Sequence, residues 1–334
     1  MISRILGFAR DVIIARYFGA SMGADAFFVA FKIPNFFRRL FAEGAFSQAF
    51  VPVLAEAKEK RGHEAVKHLV NAISFRLGGI LLILTAFGVF GSSLWMMAFA
   101  PGFMDDPVKF NLAADMLSIT FPYLLLISLV AFSSAIMNTY NQFAVPAFTP
   151  VFLNLVLISF AIWVSPLLEI PVMALAWGVL AAGVVQLLFH LPFLYKLDLL
   201  PHPSKKSDPG VGEVKRLMLP ALFGVSVAQI NLLVDTILAS FLVTGSVSWL
   251  YYSDRLMEFP LGVFGVALAT VVLPGLSKKA ANENWQGFQE DIDSALRLVL
   301  IIGLPSTLGL LILAEPLITS LFFYGAFTAH DANM

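Results

Sequence analysis

Apolar residues run through this chain in long, nearly unbroken stretches rather than in the stripes or alternations of water-soluble elements. Nine stretches lie near or above the ~20 residues that a bilayer-crossing helix requires. They are 2–18, 24–56, 69–100, 112–137, 145–165, 171–195, 217–243, 247–276 and 298–323. Several exceed that length, which predicts tilting, kinking or extension beyond the bilayer. Prolines within or beside them (Pro34, Pro52, Pro122, Pro146, Pro220, Pro260, Pro274 and Pro305) predict bends. Arg4, Arg10, Asp11 and Arg16 interrupt the first stretch, so it does not read as a cleavable signal peptide.

Composition agrees with this pattern. Only 13% of the 334 residues are charged and 59% are hydrophobic, with a mean hydropathy of +0.84. Soluble chains average roughly 25% charged and 45–50% apolar residues, so too few charges are present here to cover a water-facing surface. That excludes a soluble enzyme, a disordered chain and a nucleic-acid binder. The 21 basic and 22 acidic residues balance to a net charge of −1, which offers polyanions no attraction. The chain has no cysteine, which excludes disulfides, thiolate zinc sites and cysteine nucleophiles. The expected fold class is all-α, a polytopic membrane helix bundle.

Loop charges predict the orientation. Lys58, Lys60, Arg61 and Lys67 fall in the connection 57–68. Lys196, Lys205, Lys206, Lys215 and Arg216 fall in 196–216, and Lys278, Lys279 and Arg297 flank the segment between the last two stretches. The alternate connections hold one lysine, Lys109, beside Asp105 and Asp106. Cytoplasmic loops are enriched in Lys and Arg, so the 57–68 side and the N-terminus are expected to be cytoplasmic. The polar segment 198–216, rich in Pro, Ser and Gly, reads as a cytoplasmic linker. It divides a six-helix N-terminal lobe, 1–197, from three helices of a second lobe, 217–334. A weak repeat crosses the linker. Asp11 to Phe18 resembles Asp235 to Leu242, and the surroundings of Pro52 resemble those of Pro274, at Asp-to-Pro spacings of 41 and 39 residues. Parallel repeats of this kind mark transporters with substrate between the halves, and they make this chain read as a fragment.

Ionisable residues inside the spans are the informative ones. Arg10, Lys32 and Arg255 each lie eight residues from an outer helix end, about 12 Å deep at ~1.5 Å per residue. Arg4, Arg38 and Arg39 fall at a second depth of roughly 21–23 Å. Asp11, Asp25, Glu43, Asp254 and Glu258 sit among them, and Asp25, Lys32, Arg39 and Glu43 share one helical stripe. Each lipid-facing cation costs roughly 2.5–3.5 kcal/mol. Four would cost on the order of 12 kcal/mol, comparable to the ~5–15 kcal/mol stability of a whole fold. They are therefore expected to line a wet cavity or to pair internally, as Arg10–Asp11, Lys32–Asp25, Arg39–Glu43 and Asp254–Arg255–Glu258 could. A ladder of cations suits a phosphate or diphosphate, whose oxygens match the arginine fork.

Other chemistry is sparse. His63, Glu64 and His68 read as a solvated loop, and no nucleotide cradle or nucleophile elbow is present. Trp95, Trp163 and Trp249 fall near the expected outer boundary, as an aromatic belt would.

Several runs resemble a specific family. Ser3-Arg4, Leu6-Gly7-Phe8, Arg10-Asp11, Phe18-Gly19-Ala20, Asp25-Ala26-Phe27-Phe28, Pro34-Asn35, Arg38-Arg39, Ala42-Glu43-Gly44-Ala45-Phe46 and Phe50-Val51-Pro52 are similar to the MurJ (MviN) lipid II flippases, as is the run Ser246 to Pro260. The resemblance implies a MATE-like fold of the multidrug/oligosaccharidyl-lipid/polysaccharide (MOP) exporter superfamily, with about nine of about fourteen helices in this chain and a shortened N-terminus. It implies transport of lipid II, an undecaprenyl-diphosphate-linked disaccharide pentapeptide, from the cytoplasmic to the periplasmic leaflet of the inner membrane for peptidoglycan synthesis. By motif position, Arg4, Arg10 and Arg255 would meet the diphosphate, with Lys32 and Arg38 in the cavity and Asp25, Glu43 and Glu258 as cavity or gate acids. Asp235 matches an acidic residue that binds sodium in some members. The expected partners are lipid II and membrane lipids, with no nucleotide or nucleic acid and no cofactor beyond a coupling ion such as Na+. A related polysaccharide-lipid or drug exporter, an integral membrane enzyme of polyprenyl-phosphate metabolism and a structural scaffold are the alternative readings.

Overall fold

The computed structural model describes residues 2–202, 204–206, 208–260 and 266–334, with side chains described except at 41–43, 227–228, 259–260 and 266–271. Among the described residues all regular structure is helical. Helix α1 (Ile2–Phe18) leads to α2 (Met22–Phe37), which continues through a π-helical segment (Arg38–Phe46) into α3 (Ser47–Arg61). Next come α4 (His63–Phe90), α5 (Ser92–Phe99), α6 (Pro107–Thr120), α7 (Tyr123–Thr139), α8 (Ala144–Ser159) and α9 (Met173–Lys196). The later helices are α10 (Pro209–Ser240), α11 (Ser246–Pro260), α12 (Val266–Ala281), α13 (Trp285–Phe322) and α14 (Ala329–Asn333).

Among the described residues, helices occupy all nine apolar stretches. Among the described residues, five segments are long and apolar enough on their own to cross a membrane: His63–Phe90, Pro107–Thr139, Ala144–Leu167, Met173–Lys196 and Trp285–Phe322. A sixth is the pair Pro209–Ser226 and Gln229–Ser240, bent by 45°. Stretches 2–18 and 24–56 fall short of that mark, because α1 has 17 residues and α2 has 16 before the π-helical segment; stretch 247–276 includes residues outside the described ones.

Two connections are shorter than the sequence suggests. The basic segment 57–68 is helical except at Gly62, whose φ of +80° in the left-handed region turns the chain between α3 and α4. The segment 209–216 is the opening of α10, which begins with Pro209 in its first turn behind the cap Asp208.

The chain forms two compact units, Met1–Ser248 and Trp249–Met334. In the first, α1 buries Arg10, Asp11, Ile14, Ala15 and Phe18, a stripe recurring every three to four residues, and packs on α8. Helix α2 packs on α6, and both α7 and α8 pack on α9. Helix α10, on the far side of the linker in sequence, packs on α3 and on the π-helical segment. Phe46, Phe50 and Phe132 form one core cluster, with ring centroids 5.1–6.1 Å apart. Phe37, Trp95, Phe99 and Phe121 form another. Trp95 therefore packs within the bundle rather than forming a surface belt, whereas Trp163 is largely exposed.

Pro34 explains one tertiary bond. It has no N–H to donate to the Ala30 carbonyl four residues back, and Thr120 Oγ1 from α6 donates to that carbonyl at 3.0 Å. The π-helical segment begins four residues later. In the second unit α12 packs on α13, and α13 keeps only Gly287 and Phe322 buried.

Candidate functional site

Ser21 caps α2 by accepting from Ala24 N, which sets Asp25 in the first helical turn. The Asp25 carboxylate is completely buried and accepts from four donors. Lys109 Nζ donates to Oδ2 at 2.8 Å, as does Gly245 N at 2.8 Å. Ser248 donates to Oδ1 from its amide at 2.9 Å and from its hydroxyl at 2.6 Å. Gly245 and Ser248 belong to the opening of α11, so an α2 carboxylate caps a helix more than 200 residues away in sequence. The positive end of that helix favours the charge.

Lys109 is buried too and lies 4.3 Å from the centroid of the Phe103 ring. Asp106 orders its approach by capping α6 through Val108 N and Lys109 N. Removing a carboxylate from water costs several kcal/mol, and a close cation with three further hydrogen bonds offsets it.

A second contact lies beside this one. Gly102 N donates to Ser240 Oγ at 3.1 Å, at the C-terminal end of α10. A Cβ on Gly102 would collide with the Ser240 carbonyl oxygen, so only glycine permits the approach. The starts of α2 and α6 and the 101–105 turn are thus fastened to the α10–α11 connection. That end of the first unit is held by a charged, buried contact.

The predicted cations are distributed differently. Arg10 is 4% exposed. Its Nε and Nη2 donate to Asp11 Oδ1 at 2.9 and 2.6 Å, and its Nη1 donates to Asn154 Oδ1 at 3.1 Å. Asn154 Nδ2 donates in turn to the Ser3 carbonyl, so this group pins α1 to α8. Arg4 is exposed at the start of α1, and Lys32 is half-buried on α2. Lys32 does not pair with Asp25, whose carboxylate is engaged by Lys109, Gly245 and Ser248. Arg38 Nε donates to Asn35 Oδ1 at 3.1 Å, one helical turn back. The side chain of Glu43 lies outside the described residues. Within the second unit, Arg255 pairs with Glu258 at 2.9 Å and with Tyr251 Oη at 3.2 Å, with its guanidinium 5.3 Å from the Tyr251 ring centroid.

Asp235 is exposed on α10 and belongs to no group of three or more His, Asp or Glu among the described residues. Asp235 does not by itself make a cation site.

Sequence reading missed two features. Lys109 is the buried partner of Asp25, and its isolation as the lone cation of the outer connections was the available signal. A polar chain also runs through α7–α9: Tyr123 Oη and Gln186 Oε1 stand 3.5 Å apart, Gln186 Nε2 donates to the Thr149 carbonyl, and Thr149 Oγ1 meets buried His190 Nε2 at 2.7 Å. No periodicity in the sequence announces it.

At the opposite end, Arg61 binds Asp208 bidentately at 2.8 and 3.1 Å. The Asp208 carboxyl is held below its ordinary value first by Arg61 and also by the Gly210 amide, against its own burial. Lys67 meets Asp198 at 2.7 Å, and His63 Nδ1 meets Tyr140 Oη at 3.0 Å. His63, Glu64 and His68 thus stand on the opening of α4 rather than in a loop.

Comparison with known proteins places this geometry in context. The sequence model described as "Lipid II flippase MurJ" matches residues 14–334. The probable lipid II flippase MurJ of Vibrio cholerae serotype O1 is 51% identical over 341 residues, covering 100% of this chain and 65% of that protein. The lipid II flippase MurJ of Burkholderia cenocepacia is 48% identical, covering 100% and 66%. The chain thus spans about two thirds of the length of these relatives. A solved structure of lipid II flippase MurJ in an inward closed conformation superposes with a TM-score of 0.84 at 32% identity, over 99% of this chain and 68% of that one. An inward-facing MATE-family multidrug transporter of the MOP superfamily aligns over 99% of this chain and 74% of its own, with a TM-score of 0.75 at 14% identity, a likeness of fold alone.

Proposed function

The chain belongs to the lipid II flippase MurJ family, and from that footing we propose that it moves lipid II between the leaflets of the bacterial inner membrane by alternating access. It is a multi-pass membrane protein of the MOP exporter fold. The proposed direction is cytoplasmic to periplasmic, with the N-terminus cytoplasmic because Lys and Arg concentrate at the linker end. The Asp25 end is then periplasmic. The observation that carries the reading is the Asp25 contact, a buried carboxylate fastening two helix starts to the α10–α11 connection at that end. A transporter needs such a closure to be firm in one state and breakable in another.

In this reading Arg4, Lys32 and Arg38 of the first unit present donors to the diphosphate, and Arg255 of the second unit, paired with Glu258, is a separate candidate donor to the substrate. Arg10 acts at one remove. Held by Asp11 and Asn154, it fixes α1 on α8 and so sets where Arg4 stands. The polyprenyl tail stays in lipid.

The test is transfer of fluorescent lipid II in proteoliposomes, read with a membrane-impermeant quencher. Arg4→Ala and Arg255→Ala should each slow transfer about tenfold or more, the scale of one lost charge-assisted bond. Unchanged rates in both would defeat the assignment. The same vesicles offered a lipophilic cation in place of lipid II should show no uptake. Uptake would favour a drug exporter of the same fold.

A further inference from the structure

A cavity of about 580 Å³ opens at the linker end of the first unit, between the start of α4 and the segment that leads into α10. Arg61, His68, Asn71, His202, Ser204 and Lys206 line it, with Asp208 at its edge. Asn71 builds its wall by accepting from His202 N through Oδ1 at 2.8 Å and from Ser204 N through its carbonyl at 3.1 Å. Both bonds hold the linker against α4.

The charges do not cancel inside this cavity. Asp208 is the one carboxylate on it, and both its oxygens are committed to Arg61, with a third bond to Gly210 N. The pair removes one positive and one negative charge. Lys206 Nζ, the His68 ring and Asn71 Nδ2 are donors without hydrogen-bond partners among the described residues. His202 Nδ1 stands 2.8 Å from the Leu200 carbonyl and must carry its hydrogen, which leaves Nε2 as an acceptor in the neutral ring, open to a ligand hydroxyl. A lysine ammonium, the His68 imidazole, a primary amide and a hydroxyl around one void match an oxyanion with several acceptor oxygens. The volume lies within the roughly 300–1,000 Å³ of sites for small organic molecules, so it exceeds the need of a bare ion.

We propose that this cavity binds a phosphomonoester, with Lys206, His68 and Asn71 holding the phosphate, His202 Nε2 accepting from a hydroxyl of its organic substituent, and that substituent filling the remaining space. The site shares no lining residue with the Asp25 contact or with the cations assigned to the diphosphate, and it does not depend on the transport reading. Its occupant bridges α4 and the linker, and through the linker it reaches the first turn of α10.

The chemistry is shared by soluble metabolites and by the headgroup of phosphatidic acid, and one experiment separates them. The chain has no cysteine, so Ala65→Cys places a single thiol on the cavity wall without removing a donor. Its alkylation by N-ethylmaleimide is timed in the full chain in neutral detergent with glycerol 3-phosphate or glycerol. The second arm uses vesicles of phosphatidylcholine with or without phosphatidic acid. At ligand near ten times Kd, alkylation should slow about tenfold, since only the open fraction reacts. Protection by glycerol 3-phosphate but not glycerol supports a soluble ligand. Protection by phosphatidic acid alone supports the lipid headgroup. Either protection should vanish on adding Lys206→Ala or His68→Gln, exposed side chains whose loss leaves the Arg61–Asp208 contact in place. Absence of protection in both arms, or equal protection in those variants, overturns the proposal.

Discussion

Lys109 and Asp25, 84 positions apart in the chain, meet at 2.8 Å with both side chains almost wholly withdrawn from solvent. The pair stands where α2 and α6 begin, and Asp25 reaches past it to the amides of Gly245 and Ser248. One carboxylate therefore joins three helix starts. Breaking such a pair from one side leaves an uncompensated buried charge, which is far costlier than the pair's own net contribution.

Lys109→Met should therefore lower the stability of the purified chain by about 3 kcal/mol or more. Adding Asp25→Asn should recover part of that loss, because the stranded charge is gone. Thermal unfolding of the two single variants and the double closes the cycle, and strict additivity would show that the two groups do not interact.

At Arg10 the planar fork matters as well as the charge. Arg10→Lys keeps a cation beside Asp11 but cannot reach Asp11 and Asn154 together. A loss of about 1–2 kcal/mol is expected, and Asn154→Ala should cost about as much by freeing the same donor. Denaturation of the single and double variants should show the two effects overlapping rather than adding.

Gly102 is predicted to be intolerant of any side chain. Gly102→Ala drives a methyl group into the Ser240 carbonyl, and overpacking of this kind costs about 1–3 kcal/mol. Faster proteolysis or hydrogen exchange at 101–105 and 238–245 would report the loosened contact. Unchanged exchange would show that the turn has room to shift.

Asp208 gives a pH signature. Arg61 and the Gly210 amide hold its carboxyl below the ordinary value of 3.8. Its contribution to stability is complete above pH 3.8 and is lost as pH falls through the lowered value. Asp208→Asn should cost about 1 kcal/mol at neutral pH as a lost pair and weakened cap, with the difference from the parent shrinking in acid. A gap that stays constant to pH 2 would contradict this.

Helix content and several helix ends were legible because a bilayer forces long apolar runs, whereas the breaks within those runs, between α2 and α3, α4 and α5 and α6 and α7, were not. Arg10–Asp11 and Arg255–Glu258 were legible as pairs, since neighbours on one helix need only spacing to be found. Lys109–Asp25 was not, because periodicity along one helix carries no information about which other helix it faces. Depth counting placed Arg10 level with Lys32, but depth does not fix azimuth, and Arg10 turns toward α8. The basic run near residue 61 looked like a loop because its helix-breaking signal is Gly62 alone.

Whether Asp25 holds its end of the bundle shut is read most directly by a spin-label distance across that contact. Val108 and Leu242 are exposed on its two sides, and the cysteine-free chain allows Val108→Cys with Leu242→Cys. Electron–electron dipolar spectroscopy should give one narrow, short distance in the parent, and Asp25→Asn should broaden it and add a longer population. The same narrow distance in Asp25→Asn would contradict the closure.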